Sequence, residues 1–408
     1  MALITNFDAL KEQSFFQTEM HSAYNTRLLQ EIDPSEAVQI AAELKQFIDS
    51  DSGETEKLKQ TLSNNEKINK IYPIPSLDKE LANQIYSDLT TLISAEPSIL
   101  KSVRGVASGV WFINTSRSRF VLKWAPNSEY VCNTIYTTIL QRINDPTLQV
   151  PDHFQIPKGW DLVPFDKSPP GQRNKEKLTP ILFSRAPGAT LLDFVATRYH
   201  TLGQEEKNQL FQGLGKIVML DLFLGHQDRL CKFDTTTTTT TFQKMRDADN
   251  FGEYANLGNL MISLQSGNVS FFLIDNTASC ENSNINHLKP FLGTDKQIKQ
   301  GLDNAFSQVS QLMIQQLHGA LTHAEFPGGP ATTDIQQQNM ENFAKNFTAA
   351  AQYNIREGFE YMRTSIKTHL IGTGPLFQKP PYNQTREVNG LMGRIKFIEN
   401  AAQSVKTP

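Results

Sequence analysis

The sequence predicts an α+β protein of two lobes, with helical additions at both ends, and three observations predict it. Apolar residues recur at helical spacing through the first hundred positions; glycines between β-branched and aromatic residues mark strands from about residue 101; helical periodicity then resumes, interrupted by one short hairpin. The resulting order is a helical cap, a small β-rich lobe, a helix, a connecting strand, a helical lobe carrying a hairpin, and more helices. Such an order suits a cleft between two lobes.

Each element follows from a local pattern. Ser35 with Glu36, Ala37 and Val38 opens a helix in which Val38, Ala41, Leu44 and Ile48 share a face. After Pro73 and Pro75, Ser76 is the expected cap of a second helix with the stripe Leu77, Leu81, Ile85, Leu89 and Leu92. The polar stretch between them reads as a surface loop or a solvated helix. SVRGVASGVWFINTSRSRFVLKWA supplies strands joined by tight turns, and a helix follows over Asn127–Ile143. A Pro-bounded strand, the basic loop SPPGQRNKEKLT and the apolar run PILFSRAPGATL lead to a helix over Gln204–Leu224. Asp234 to Asn250 holds the tract Thr235 to Thr241, which has no packing pattern and reads as a flexible insertion. NLMISL and VSFFLID, separated by QSGN, form the hairpin. Two further stripes follow: Ile298, Leu302, Phe306, Val309 and Met313, then Phe343, Phe347, Ala351, Ile355, Phe359 and Met362. The expected divisions are a helical extension over 1–100, a β-rich lobe over 101–183, a mainly helical lobe over 184–325 and a helical extension over 326–408.

Composition excludes several classes. A formal net charge of -3, with 20% charged and 39% hydrophobic residues, lacks the basic field that a nucleic acid backbone requires. Cys132, Cys231 and Cys280 are far apart and in no CxxC pairing, which argues against a disulfide framework or a zinc site and for a reducing compartment. With no basic segment leading into an apolar core and no run of about 18 apolar residues, a cytoplasmic setting is expected. Delivery into a host cytosol by a dedicated secretion machine would leave no mark in these patterns. HExxH and GxSxG are absent.

The informative stretch is LGHQDRL, followed by NLGNLMISLQSGNVSFFLIDN. Asp228 falls at the end of a long apolar helix, Asn259 precedes one strand of the hairpin and Asp275 follows the other. Singly, each is a common turn former. Together they are the set that phosphoryl transfer needs: one carboxylate to orient or deprotonate an attacking hydroxyl, an amide and a second carboxylate to hold Mg²⁺ against nucleotide phosphates.

On GKIVMLDLFLGHQDR, GNLMI and FFLIDNT, and more weakly back to residue 101, the chain resembles the protein-kinase-like superfamily, in the atypical branch that includes actin-fragmin kinase and, more remotely, the phosphatidylinositol kinases. The resemblance implies a two-lobed protein-kinase-like fold, ATP with Mg²⁺ or Mn²⁺, Asp228 as catalytic base, Asn259 as a metal ligand and Asp275 as the metal-binding Asp that opens the DFG motif. Departures are plain. The poly-Thr insertion separates Asp228 from Asn259, leaving Asn256 as a competing ligand; Asn276 and Thr277 stand where Phe and Gly would complete the motif; no APE segment occurs.

The same resemblance directs attention upstream. Gly105 and Gly109 allow close backbone approach to phosphate, or make an ordinary hairpin turn. Lys123, amid Phe120, Val121, Leu122 and Trp124, wants a buried partner and would touch the α/β-phosphates, paired with Glu129, unless Glu129 is an exposed first-turn residue facing the helix dipole. Phe183 would close the back of an ATP pocket, with backbone groups from Ser184 to Ala186 at the adenine edge. Arg229 is expected to fix the loop, to contact phosphate or to form a structural ion pair; His226 reads as scaffold; Asp221 braces the loop or faces solvent. The expected partner is a protein substrate presenting Ser or Thr, with a phosphoinositide or small-molecule acceptor, or a pseudokinase scaffold, as alternatives. Arg104, Arg117, Arg119, Arg173, Lys175 and Lys177 would attract a polyanionic activator such as an inositol phosphate, or form a solvated face.

Overall fold

A computed structural model describes the chain apart from residues 1–6, 51–54, 93–98, 102–109, 116, 163–177, 227, 232–254, 277–284, 323–332, 380–381, 383–384 and 405–408. Two units result, one from residues 1–126 and 152–185, the other from 127–151 and 186–408.

The first unit begins with α1 (Gln13–Gln30) and α2 (Pro34–Asp49). Asp33 starts α2: its carboxylate accepts the amides of Ser35 at 2.9 Å and Glu36 at 3.3 Å, and Pro34 presets the first helical φ. This corrects the expected start at Ser35. Of the expected face, Ala41 and Leu44 are buried and Ile48 packs against the core, but Val38 is corrected: it is 63% exposed, and Ala37 and Ile40 complete the inward stripe. One position of phase on a helix is about 100°, enough to turn a side chain outward. The polar stretch that follows folds as α3 (Thr55–Asn64) and α4 (Glu66–Ile71), which bury Leu58, Leu62 and Ile68. α5 (Lys79–Leu92) is opened by Asp78, which accepts the Leu81 amide at 2.8 Å. Ser76 is not the cap, because its hydroxyl donates back to Pro73 O at 2.8 Å.

Strands β1 (Ile99–Lys101), β2 (Val110–Asn114) and β3 (Arg119–Pro126) come next. The chain passes into the second unit through α6 (Asn127–Ile143) and β4 (Leu148–Gln149), then returns with β5 (His153–Gln155) and β6 (Leu178–Ser184). The first unit's sheet is antiparallel throughout, in the order β1-β2-β3-β6-β5. Phe16, Met20 and Ala23 of α1 pack with Ile113, Phe120, Leu122 and Leu182 of this sheet, while α2 to α5 build a separate helical core. Buried Glu19 of α1 accepts the Thr115 hydroxyl in the β2–β3 turn, tying helix to sheet.

The second unit adds β7 (Ala189–Thr190), α7 (Leu191–Arg198), α8 (Gln204–Leu224), β8 (Leu260–Gln265), β9 (Asn268–Leu273), α9 (Lys289–Leu292), α10 (Asp295–Thr322), α11 (Asp334–Ala350), α12 (Asn354–His369) and α13 (Arg386–Gln403). Its sheet runs β4-β9-β8-β7, parallel only between β4 and β9. Gly188, at φ 93°, lets the chain enter β7, where a Cβ would stand 1.9 Å from Ile262 O. An ion pair of 2.8 Å between Lys216 and Asp145 ties α8 to the β4 edge. Burial opposes charge on Asp145, but the Lys216 ammonium and the Thr147 hydroxyl outweigh it and hold the carboxyl below the usual range. No described helix is long and apolar enough to cross a membrane. The described cysteines, Cys132 and Cys231, are both buried thiols.

The stripe expected from Phe343 to Met362 as one run is broken into α11 and α12, with Ala351 at the break; its apolar residues are buried on both sides of it. Beyond the break, α12 lies close against α8. A Cβ on Gly358 would meet Gln212 O at 1.9 Å, and one on Gly215 would meet Ile355 O at 2.0 Å, so the two backbones lie almost in contact. Gly358→Ala raises helix propensity by about 1 kcal/mol. The clash with a backbone carbonyl has no rotamer to relieve it and costs about 3 kcal/mol. A net destabilisation of about 2 kcal/mol is expected, measured as a lowered urea midpoint.

Candidate active site

Helix α8 is buried over most of its last three turns, so its end is fixed from several sides. Gly225, at φ 74°, supplies the left-handed residue that stops the helix, and His226 N donates to Asp221 O at 2.9 Å. The final carbonyls need donors in an apolar setting. Arg394 of α13, fully buried, provides them: its Nη1 donates to Phe223 O at 2.6 Å and to Leu222 O at 3.4 Å. From this fixed point the chain presents Asp228 outward and turns Arg229 inward.

The hairpin is brought to the same place by Asn259, the last residue of a 3-10 turn over Leu257–Asn259. Its Nδ2 donates to Asp228 O at 2.8 Å and to Asp228 Oδ2 at 3.2 Å. Donation through nitrogen leaves the Asn259 carboxamide oxygen with no hydrogen bond among the described residues. Asn256, the competing ligand, uses its own carboxamide oxygen to cap the turn, accepting Gly258 N at 3.2 Å. Ile274 N donates to Asn259 O at 3.3 Å, so the two strand ends lie side by side and Asp275 follows at once. Asp275 is exposed and adopts φ 52°, a left-handed conformation uncommon outside glycine though better tolerated by Asp, and here set by the constraint on its neighbours.

That constraint converges on Arg229, 1% exposed. Its Nη1 meets Asp221 Oδ1 at 2.5 Å, its Nε donates to Asn259 O at 3.1 Å, and its Nη2 donates to Ile274 O at 3.3 Å and Asn276 Oδ1 at 2.5 Å. The guanidinium lies 5.7 Å from the Tyr136 ring, and the Tyr136 hydroxyl donates to Asp221 Oδ1 at 2.9 Å. Burial pushes the Asp221 carboxyl up, opposed by the Arg229 guanidinium and the Tyr136 hydroxyl. Burial likewise raises the Tyr136 phenol and the Cys231 thiol, which keeps Tyr136 a hydrogen-bond donor.

Asp228, Asn259 and Asp275 are therefore joined through short hydrogen-bonded paths, and Arg229 is the clamp among them. Of the places expected for Arg229, the structure shows the ion pair: the guanidinium is enclosed by carboxylate, carbonyl and amide partners inside the fold. Asp221 faces inward rather than solvent, and His226 is buried with its ring edge-on to Tyr136. Lys123 is buried in β3, opposite Val110 and Ile181; Glu129 is buried in the first turn of α6. Phe183 stacks on His153 at 5.9 Å, with Ser184 ending β6 and Ala186 two residues beyond it. Arg117 and Arg119 are exposed. Gly105, Gly109, Arg104, Arg173, Lys175, Lys177 and the threonine tract lie outside the described residues.

Sequence reasoning missed Asn133, Tyr136, Asn276 and Arg394. A signal existed for Asn133 and Tyr136, polar groups set among Val131, Cys132, Ile135 and Ile139 on a helix whose inner face is otherwise apolar. Arg394 carried none, since a single Arg in an amphipathic helix reads as surface.

No family model matches the chain, and no curated protein matches it. Among solved structures it is similar to the crystal structure of Rad53 1–466 in complex with AMP-PNP, at 11% identity over 71% of this chain and 67% of that chain, with a TM-score of 0.27. At that identity and score no residue is carried across.

Proposed function

We propose that the chain is an ATP- and Mg²⁺-dependent kinase of two-lobed, protein-kinase-like fold, transferring the γ-phosphate to a Ser or Thr hydroxyl of a protein. The observation that carries the reading is the Asn259 carboxamide held on Asp228 by two hydrogen bonds, with Asp275 at the adjoining strand end. Asn259 Oδ1 and the Asp275 carboxylate are hard oxygen donors that fit Mg²⁺, which when bound supplies positive charge to the nucleotide phosphates. Asp228 acts on the acceptor. Its exposed carboxylate, oriented by Asn259, aligns the hydroxyl and takes its proton as the oxygen bonds to the γ-phosphorus and the bond to the β–γ bridging oxygen breaks, releasing ADP.

The reading is tested by thermal and urea unfolding with ATP and Mg²⁺. At about 100-fold above Kd, stabilisation by about 2.7 kcal/mol is expected, with ATP and EDTA giving much less. Labelled phosphate should then appear in protein rather than in extracted lipid. No stabilisation by either form of ATP would end the proposal, and label in lipid alone would move the acceptor to the phosphoinositide class.

A further inference from the structure

Two buried carboxamides lie beside the candidate site: Asn276, which is also a partner of Arg229, and Asn133. Asn276 is fully buried, and three contacts engage both of its polar atoms: Oδ1 accepts Arg229 Nη2 at 2.5 Å, while Nδ2 donates to Leu273 O and to Asn133 Oδ1, each at 2.9 Å. Asn133, 1% exposed on the inner face of α6, donates in turn to Glu129 O at 2.8 Å. Amides desolvated among apolar side chains weaken a fold unless each polar atom is matched, and here the matching runs in one line from the first turn of α6 to the residue after Asp275.

Asp275 lies between two constrained neighbours. On one side Ile274 N donates to Asn259 O and Ile274 O accepts Arg229; on the other stands Asn276 with its three partners. A left-handed Asp persists when its surroundings over-determine it. We infer that Asn133 and Asn276 are positioning residues, transmitting the placement of the first turn of α6 to the Asp275 carboxylate and so setting the affinity of the site for a divalent cation with nucleotide. The inference rests on the proposed kinase reading for the identity of the ligand, and on geometry alone for the link.

Asn133→Ala cuts the link while leaving the other two partners of Asn276 in place. Two measurements on the full chain separate the parts. Without nucleotide, hydrogen exchange at the Ile274 amide should quicken about tenfold in Asn133→Ala. The Val269 amide, bonded to Gln209 Oε1 at 3.0 Å at the other end of β9, should not change. By calorimetry, Asn133→Ala should weaken Mn²⁺–ATP about tenfold and ATP in EDTA less than about twofold. A purely structural residue would weaken both forms together. Unchanged exchange at Ile274, or equal loss for both forms of ATP, would overturn the inference. A wild-type chain that binds neither form of ATP would instead remove the kinase reading and the cation role with it, a result distinct from failure of the link.

Discussion

Asp228→Asn is expected to lower phosphate transfer about a thousandfold while leaving the fold in place. The side chain is exposed, so the substitution strands no buried charge and opens no cavity. The stronger of its two bonds to Asn259 runs through the Asp228 backbone carbonyl, at 2.8 Å, and survives. What disappears is the anion to which the proposed mechanism assigns the hydroxyl proton. The thermal midpoint and the affinity for ATP with Mg²⁺ should therefore match wild type, and labelled phosphate incorporation should fall towards background. Transfer at the wild-type rate by Asp228→Asn would remove the base from Asp228. Loss of transfer accompanied by a lowered midpoint would assign the residue to folding instead.

What could be read from the sequence was local. The bounds of α6 at Asn127 and Ile143, and of α8 at Gln204 and Leu224, were legible because Pro126, Gly203 and Gly225 bracket long apolar runs. The hairpin was legible for the same reason, since Ser266 and Gly267 both take positive φ between two alternating strands. Helix phase was less secure. Val38 and Ala37 are equivalent to a spacing rule, and only the packing of α2 in its helical core decides which points inward. The break between α11 and α12 was hidden because Phe347, Ala351 and Ile355 keep helical spacing straight across it.

The candidate site shows the same division. Asp228, Asn259 and Asp275 were singled out by their order around a helix end and a hairpin and by the resemblance that order carries, since each alone is a common turn former. The contact of Asn259 with Asp228 spans a tract without pattern, so no spacing argument could supply it. The inward turn of Arg229 was equally hidden: an Asp-Arg pair at a helix end reads alike whether the guanidinium faces solvent or a buried carboxylate. Its partners come from α8, from both strand ends and from the loop after β9, which no local window contains.

That dispersion makes Arg229 the position whose loss should cost most stability. Arg229→Met keeps much of the apolar stem but removes all five donors from a pocket where the side chain has no exposed area. Asp221 would keep only the Tyr136 hydroxyl, and its Oδ2 already has no hydrogen-bond partner among the described residues. Asn259 O and Ile274 O would lose the guanidinium that draws the strand ends together. Breaking one side of a buried ion pair costs about 3–5 kcal/mol, and that loss is expected in urea unfolding at neutral pH. Arg229→Lys should recover little, because one ammonium cannot reach a carboxylate, an amide and two carbonyls on different elements. The pH dependence has a definite sign. Burial holds the Asp221 carboxyl above its unfolded value, so its proton favours the folded state and its contribution fades as pH rises. Arg229→Met should therefore approach wild-type stability as pH falls towards the ordinary carboxylate range, and Asp221→Asn added to Arg229→Met should restore part of the loss at neutral pH. A loss below about 1 kcal/mol in Arg229→Met, or one that does not vary with pH, would show that the pair is not the clamp of this site.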